Sequence, residues 1–143
     1  MEISTANLHD LSSLRHMEKV CFPKDAWPLL DLISVLTWPG VIRLKAVIDG
    51  KMVGFIAGDP RPAENMAWIA TISVLPGYQR QGIGQALLSE CEQRVSQAKI
   101  RLCVRESNEP AINLYKRDGF FVTGTWQKYY DDKENALVME KYR

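Results

Sequence analysis

Residues 79–84 read Q-R-Q-G-I-G and stand between an apolar run that ends at Leu75 and an amphipathic run that begins near Ala86. Glycine permits backbone conformations that turn successive N–H groups towards one point, and a helix N-terminus adds about half a positive charge there. Arg80 supplies a full charge, so the segment has the chemistry of an anion cradle and suits a pyrophosphate better than a carboxylate. A plainer reading stays open: Gly82 and Gly84 let a helix pack close to a sheet, and Arg80 is a solvated surface residue. Neither of the better-known phosphate motifs is present, since G-x-x-x-x-G-K-[ST] is absent and G-x-G-x-x-G is not satisfied.

Such a cradle needs a strand before it and a helix after it. Met66 to Leu75 is nearly all apolar, as a central strand covered on both faces requires. Beyond Gly84, the spacing of Leu87, Leu88, Cys91, Val95 and Ala98 predicts a helix of about four turns, and Ile100, Leu102 and Val104 alternate as the next strand. Strand, helix, strand implies a parallel crossover. Upstream, Leu8, Leu11, Leu14, Met17 and Cys21 fall at helical spacing after Asn7, with Asp10 placed for a capping box. Pro28 opens a second helix with Leu29, Leu32, Ile33 and Leu36 on one face, closed by Pro39-Gly40. Val41–Ile48 and Lys51–Gly58 pair across Asp49-Gly50, a favoured two-residue hairpin turn, and Asp59 to Asn65 reads as a loop. Glu109-Pro110 starts a last helix through Lys116, ended by Gly119, and strands at 120–126 and 136–140 flank a polar loop. The order ααβββαβαββ describes an α+β domain around one mixed sheet.

At 143 residues and 46% hydrophobic content the chain is expected to fold as one domain, residues 1–143. With 18 basic and 17 acidic residues the formal charge is +1, so no overall field favours nucleic acid or an anionic membrane, and an anionic ligand must be held locally. The three cysteines are scattered without a C-x-x-C pair, which argues against a disulfide scaffold or a cysteine-based zinc site and fits a reducing compartment. Residues 1–20 lack a continuous apolar stretch and no apolar run approaches ~20 residues, so the expectation is a cytoplasmic protein without signal peptide or membrane span.

The segment 79–84 resembles the Q/R-x-x-G-x-G/A motif of the GNAT superfamily of N-acetyltransferases. S-N-E-P-A-I-N-L-Y-K-R-D-G-F at 107–120 is similar to the second signature of that family, an Asn, a short helix carrying a Tyr, then G-F. The likeness covers nearly the whole chain. It is nearest to the ribosomal-protein-alanine and archaeal-type protein N-terminal acetyltransferases, which share F-P…W (here Phe22, Pro23, Trp27), Y-Q-R-Q-G-I-G at 78–84, the S-N run, and a Tyr-Tyr pair before the final strand (here Tyr129, Tyr130).

This resemblance implies a GNAT fold, a mixed sheet of about seven strands with about four helices, and acetyl-CoA as cosubstrate, with no metal. The pantetheine arm would pair with the fourth strand at Ile72, Ser73 and Val74, as an extended amide chain satisfies an open strand edge. Arg80, Gln81, Gly82, Ile83, Gly84 and Gln85 would hold the pyrophosphate, Asn108 the pantetheine arm, and Lys116 the nucleotide phosphate; Asn108 also reads as a helix N-cap. Tyr115 matches the tyrosine that protonates the departing thiolate, a role a phenol of pKa ~10 can fill, and also reads as a core aromatic. Phe22, Trp27, Tyr129 and Tyr130 would wall the acceptor groove, although Phe22 and Trp27 are equally explained by packing.

Two departures stand out. The fifth strand reads L-C-V-R at 102–105, where the bacterial alanine acetyltransferases have L-E-V-R with the Glu as base, and Met66 to Leu75 contains no acid. Cys103 is either a half-buried strand residue or a thiol made acidic by Arg101 and Arg105, with water leading to Glu106 or to Tyr129 or Tyr130 as another proton route. Asn135 stands where relatives carry Asp, and Asp131, Asp132 and Glu134 make its loop acidic, which favours a cationic acceptor. The resemblance implies acetyl transfer to a primary amine, first a protein N-terminal α-amine; a small-molecule amine, a lysine, or a non-catalytic acyl-CoA-binding sensor are the alternatives. A monomer or a homodimer is expected, with neither nucleic acid nor membrane as partner.

Overall fold

A computed structural model describes residues 1–143. The elements are β1 (Glu2–Thr5), α1 (Leu11–Cys21), α2 (Leu29–Thr37), β2 (Ile42–Ile48), β3 (Lys51–Arg61), β4 (Met66–Val74), α3 (Ile83–Gln93), β5 (Lys99–Arg105), α4 (Glu109–Arg117), β6 (Phe121–Trp126) and β7 (Ala136–Tyr142). They build one seven-stranded sheet in the order β1-β2-β3-β4-β5-β7-β6, antiparallel except where β4 meets β5. The α+β class and the mixed sheet are as expected, with a strand added in front. Glu2–Thr5 carries a single large apolar side chain, Ile3, and its strand state comes from pairing with Leu44–Val47 of β2.

The first helix begins later than its cap suggests. Asn7 and Asp10 form the capping box, with the Asn7 side chain accepting from the His9 N–H and the Asp10 carboxylate from the Asn7 N–H, both at 2.9 Å, but they cap a 3₁₀ turn at Leu8–Asp10 that runs into α1. Pro28 lies just outside α2, whose buried face is Leu32, Val35 and Leu36, leaving Leu29 exposed. The hairpin turn places Asp49 and Gly50 at φ +50° and +76°, the left-handed pair that a two-residue turn demands. The segment read as a loop from Asp59 is partly strand: Asp59, Pro60 and Arg61 pair with Trp68, Ala67 and Met66. Pro60 lies where β2 has already ended, so this length of β3 is a sheet edge, where proline is tolerated.

The helix after the cradle ends at Gln93, short of the expected four turns. Val95 keeps its apolar role and is buried, but the backbone has left the helix: the Arg143 guanidinium donates to the carbonyls of Glu92, Val95 and Gln97 in place of helical bonds. The helix packs tightly on the sheet because Gly58 has no side chain; a Cβ there would sit 2.7 Å from the Cys91 sulfur. No helix is long and apolar enough to cross a membrane.

Two features of β4 position the site. Its parallel pairing with β5 covers only Met66–Trp68 against Lys99–Arg101. Against β3 the register skips from Thr71↔Ala57 to Ile69↔Gly58, so Ala70 is the extra residue of a bulge. A bulge bends its strand and increases the local twist, and here it turns β4 away from β5 two residues after their last pair.

Candidate active site

Past Trp68, β4 pairs with β3 alone, and past Arg101, β5 pairs with β7 alone, so the sheet opens into a cleft of about 290 Å³. One wall is Trp68 to Ile72 and the other Leu102 to Arg105. Phe22 and Trp27, from the segment between α1 and α2, face Tyr129 and Tyr130, from the segment between β6 and β7, across the same cleft; Asn108 and Tyr115 reach it from α4. The expected acceptor residues, the expected proton donor and Ile72 are thus gathered in one place. Ser73 is buried, and the Val74 carbonyl already accepts a 3.0 Å bond from the Gln79 side chain.

Beyond Val74 the chain enters the cradle. Arg80 and Gly82 have φ +62° and +83°, either side of Gln81, an alternation of left-handed with ordinary backbone of the kind from which anion-binding nests are built. The two glycines do different jobs. A Cβ at Gly82 would meet nothing within 4 Å, so glycine is needed there for φ; one at Gly84 would come within 2.9 Å of Leu114, so glycine is needed there to seat α3 beside α4. Arg80, Gln81, Gly82 and Lys116 are exposed, while Ile83 and Gly84 are buried. No side chain caps the first turn of α3. Gln85 donates its side-chain amide to Asp118, which leaves only its backbone to the cradle. An open nest at a helix N-terminus, next to a strand edge without a partner, fits a pyrophosphate followed by an extended amide chain.

Asn108 caps α4, accepting from the Ala111 N–H at 3.3 Å, and lines the cleft as well. Tyr115 is 7% exposed and packs edge-on to Phe120 with ring centroids 6.0 Å apart. Burial holds its phenol well above the ordinary tyrosine range, so it keeps its proton at any working pH. Cys103 is a half-buried strand residue and not an acidified thiol: burial pushes it up to about 11, against the smaller opposing pull of Arg101. Arg101 is ion-paired with Glu140, and Arg105 is surrounded by carboxylates. Glu106, the other acid considered, is exposed and receives a 3.4 Å bond from Asn135.

Arg105 ties the two acceptor walls together. It makes a two-pronged pair with Asp25, 2.8 Å on each arm, and reaches Asp132 at 3.0 Å and Glu134 at 2.7 Å, with Tyr130 under the guanidinium plane at 4.2 Å. The hydrogen bond from the Glu134 N–H and the Arg105 guanidinium pull the Asp132 carboxyl down to about 2, and the Ser107 and Arg105 bonds lower that of Glu134. The acids expected to attract a cationic acceptor are therefore largely spent on this clamp. Tyr130, pushed up to about 12 mainly by burial, is no base at neutral pH.

Sequence reasoning missed Asp25 and Glu18. Glu18 is 2% exposed on α1 and lines the cleft. Burial raises its carboxyl to about 7, against the lowering effect of a hydrogen bond from the Trp27 backbone N–H, and its Oε2 has no partner. A signal was available: Glu18 falls one helical turn after Leu14, on the stripe otherwise read as core.

A model of the acetyltransferase (GNAT) family matches residues 11–120. The ribosomal-protein-S18-alanine N-acetyltransferase from Escherichia coli superposes with a TM-score of 0.86 at 31% identity, covering 99% of this chain and 92% of that one. An N-alpha-acetyltransferase of Sulfurisphaera tokodaii is 30% identical over 153 residues, 96% of this chain and 90% of its own length. The L-amino acid N-acetyltransferase AaaT of Escherichia coli is 34% identical over 97 residues, 64% of this chain and 60% of its own. These likenesses, together with a mixed sheet parted between its two parallel strands, place the chain among the N-acetyltransferases. It belongs to the acetyltransferase (GNAT) family and is an enzyme that acetylates amines.

Proposed function

We propose that the chain transfers the acetyl group of acetyl-CoA to the α-amine of a protein or peptide N-terminus. The observation that carries this reading is the pair of aromatic walls, Phe22 and Trp27 against Tyr129 and Tyr130, joined by Arg105 above the β4–β5 parting. Two segments locked together across a cleft make a narrow groove that suits an extended chain end. Relatives of about 30% identity named for N-terminal and ribosomal-protein acetylation support it.

Acetyl-CoA supplies a thioester carbon open to direct attack by an amine. The open edge at Ile72, Ser73 and Val74 would align its pantetheine arm, with Asn108 beside it, and the nest from Arg80 to Gln85 would hold the pyrophosphate, with Lys116 free to meet the nucleotide phosphate. Tyr115, kept protonated by burial, would donate to the departing sulfur. Its substitution by phenylalanine removes the proton and keeps the packing.

A free amino acid as acceptor is the second reading, favoured by the 34% identity to an L-amino acid N-acetyltransferase over part of the chain. Incubating the protein with acetyl-CoA and a pool of free-N-terminus peptides and amino acids, read by mass spectrometry, separates the two. Peptide α-amines modified in preference to amino acids are expected; the reverse preference would replace the acceptor.

A further inference from the structure

The reaction needs a group to take a proton from the acceptor, because an α-amine of pKa ~8 is mostly ammonium at pH 7. None of the acids weighed from the sequence serves: β4 has no titratable residue, Cys103 stays protonated, and Glu106 lies outside the cleft lining. Asp25 lines the cleft, but both of its oxygens are held by Arg105.

One carboxylate in the cleft keeps an oxygen without a partner. Glu18, on α1, lines the cleft together with Cys103 and Tyr115, and its Oε2 is buried with no hydrogen-bond partner. A buried carboxylate oxygen left in this state is costly unless a donor completes it. Glu92 also has an unpartnered oxygen, but it is paired with Lys141 at 2.7 Å and does not line the cleft. Resting on the acetyl-transfer reading above, we propose that Glu18 is the proton acceptor for the attacking amine.

The step balances. Glu18 takes one proton from the acceptor ammonium, and the freed nitrogen attacks the thioester carbon. A C–N bond forms, the C–S bond breaks, and a second proton from that nitrogen reaches the sulfur through the Tyr115 hydroxyl. Glu18 then gives its proton to solvent through the cleft. Its raised carboxyl, at about 7, matches this task, since a base works best when its pKa lies near the working pH.

The surroundings bring few other charges to bear on it. Cys21, on the same helix, has its thiol pushed up to about 11 by burial and then by the Glu18 charge. Across the cleft stand Cys103, Tyr115 and Tyr130, all held protonated, and the Asp25–Arg105 pair. The other elements packed on α1 offer His9, Asp31, Lys51, Asp59 and Arg61, with Asp10 held by Lys45 at 2.9 Å; none of these is a cause of the Glu18 displacement.

The test is Glu18→Gln, whose side-chain oxygen can still accept from the Trp27 N–H. With an N-terminal peptide as acceptor, kcat at pH 7 should fall on the order of 100-fold while the KM for acetyl-CoA stays unchanged. Wild-type kcat/KM should reach its plateau as Glu18 ionises near pH 7, whereas the variant, dependent on amine already free in solution, should keep rising through about 8. The penalty should shrink for a weakly basic amine that is already neutral at pH 7. Should the variant fold poorly, ¹³C NMR of the wild-type Glu18 carboxyl gives a second readout, with a midpoint near 7 expected and one in the ordinary carboxylate range overturning the proposal. An active wild type with an unchanged Glu18→Gln profile overturns the Glu18 role alone. A wild type that acetylates no amine overturns the functional reading, and this one with it.

Discussion

A buried carboxylate that is poorly solvated when ionised has a stability cost, and Glu18→Gln should relieve it in a pH-dependent way. The folded carboxyl titrates at about 7 against a usual 4.5, so the folded state holds the proton more tightly than the unfolded one. Below 4.5 both states are protonated and the group costs nothing; between 4.5 and 7 the unfolded state ionises first, and stability is lost as pH rises through that window. At about 1.4 kcal/mol per unit the full cost above pH 7 is at most about 3 kcal/mol, of which under about 1 kcal/mol is present at pH 5. Urea unfolding of wild type and variant at pH 5 and pH 8 isolates this group, because other carboxyls shift both proteins alike. The variant should gain about 2 kcal/mol on the wild type between the two pH values, after allowing for water entering the cleft. A difference that does not change with pH, or that narrows as pH rises, would refute the reasoning.

Three further outcomes are expected. Tyr115→Phe should lower kcat at least tenfold with little change in the KM for acetyl-CoA, checked by steady-state kinetics; a wild-type rate would remove the phenol from the reaction. Gly82→Val places a β-branched residue at φ +83° in open space, so it should weaken CoA binding by calorimetry while costing only about 1–2 kcal/mol in unfolding; unchanged affinity would sink the cradle assignment. Arg105→Gln frees Asp25, Asp132 and Glu134 and unties the acceptor walls, so the acceptor KM should rise several-fold while CoA affinity holds; equal losses in both would show a general loss of structure instead.

Features written in local chemistry were legible. Asp49-Gly50 announces its hairpin because both residues must take positive φ, and the cradle announces itself through the backbone freedom of Gly82 and the charge of Arg80, although the positive φ of Arg80 itself was not legible. Features made by pairing across the chain were not. β1 has too little apolar character to read as a strand without β2 beside it. The bulge at Ala70 exists only in the register between β3 and β4, and Val95 keeps a helical spacing in a segment that Arg143, at the far end of the chain, holds out of the helix. The site divides the same way. Phe22, Trp27, Asn108, Tyr115 and the Tyr129–Tyr130 pair came from motif likeness and converge on one cleft. Glu18 and the Arg105 clamp needed three dimensions, because one carboxylate is hidden on an apolar stripe and the other three reach their arginine from 80, 27 and 29 residues away.

The central claim, acetyl transfer to a protein α-amine, is tested most directly by mass spectrometry of a mixed pool. The purified protein is incubated with acetyl-CoA, free-N-terminus peptides, N-blocked lysine peptides, polyamines and free amino acids. Acetylation concentrated on peptide α-amines, lost in Tyr115→Phe, is the expected result. Transfer to lysine, polyamine or amino acid in preference, or no transfer by a protein that still binds CoA, would contradict it.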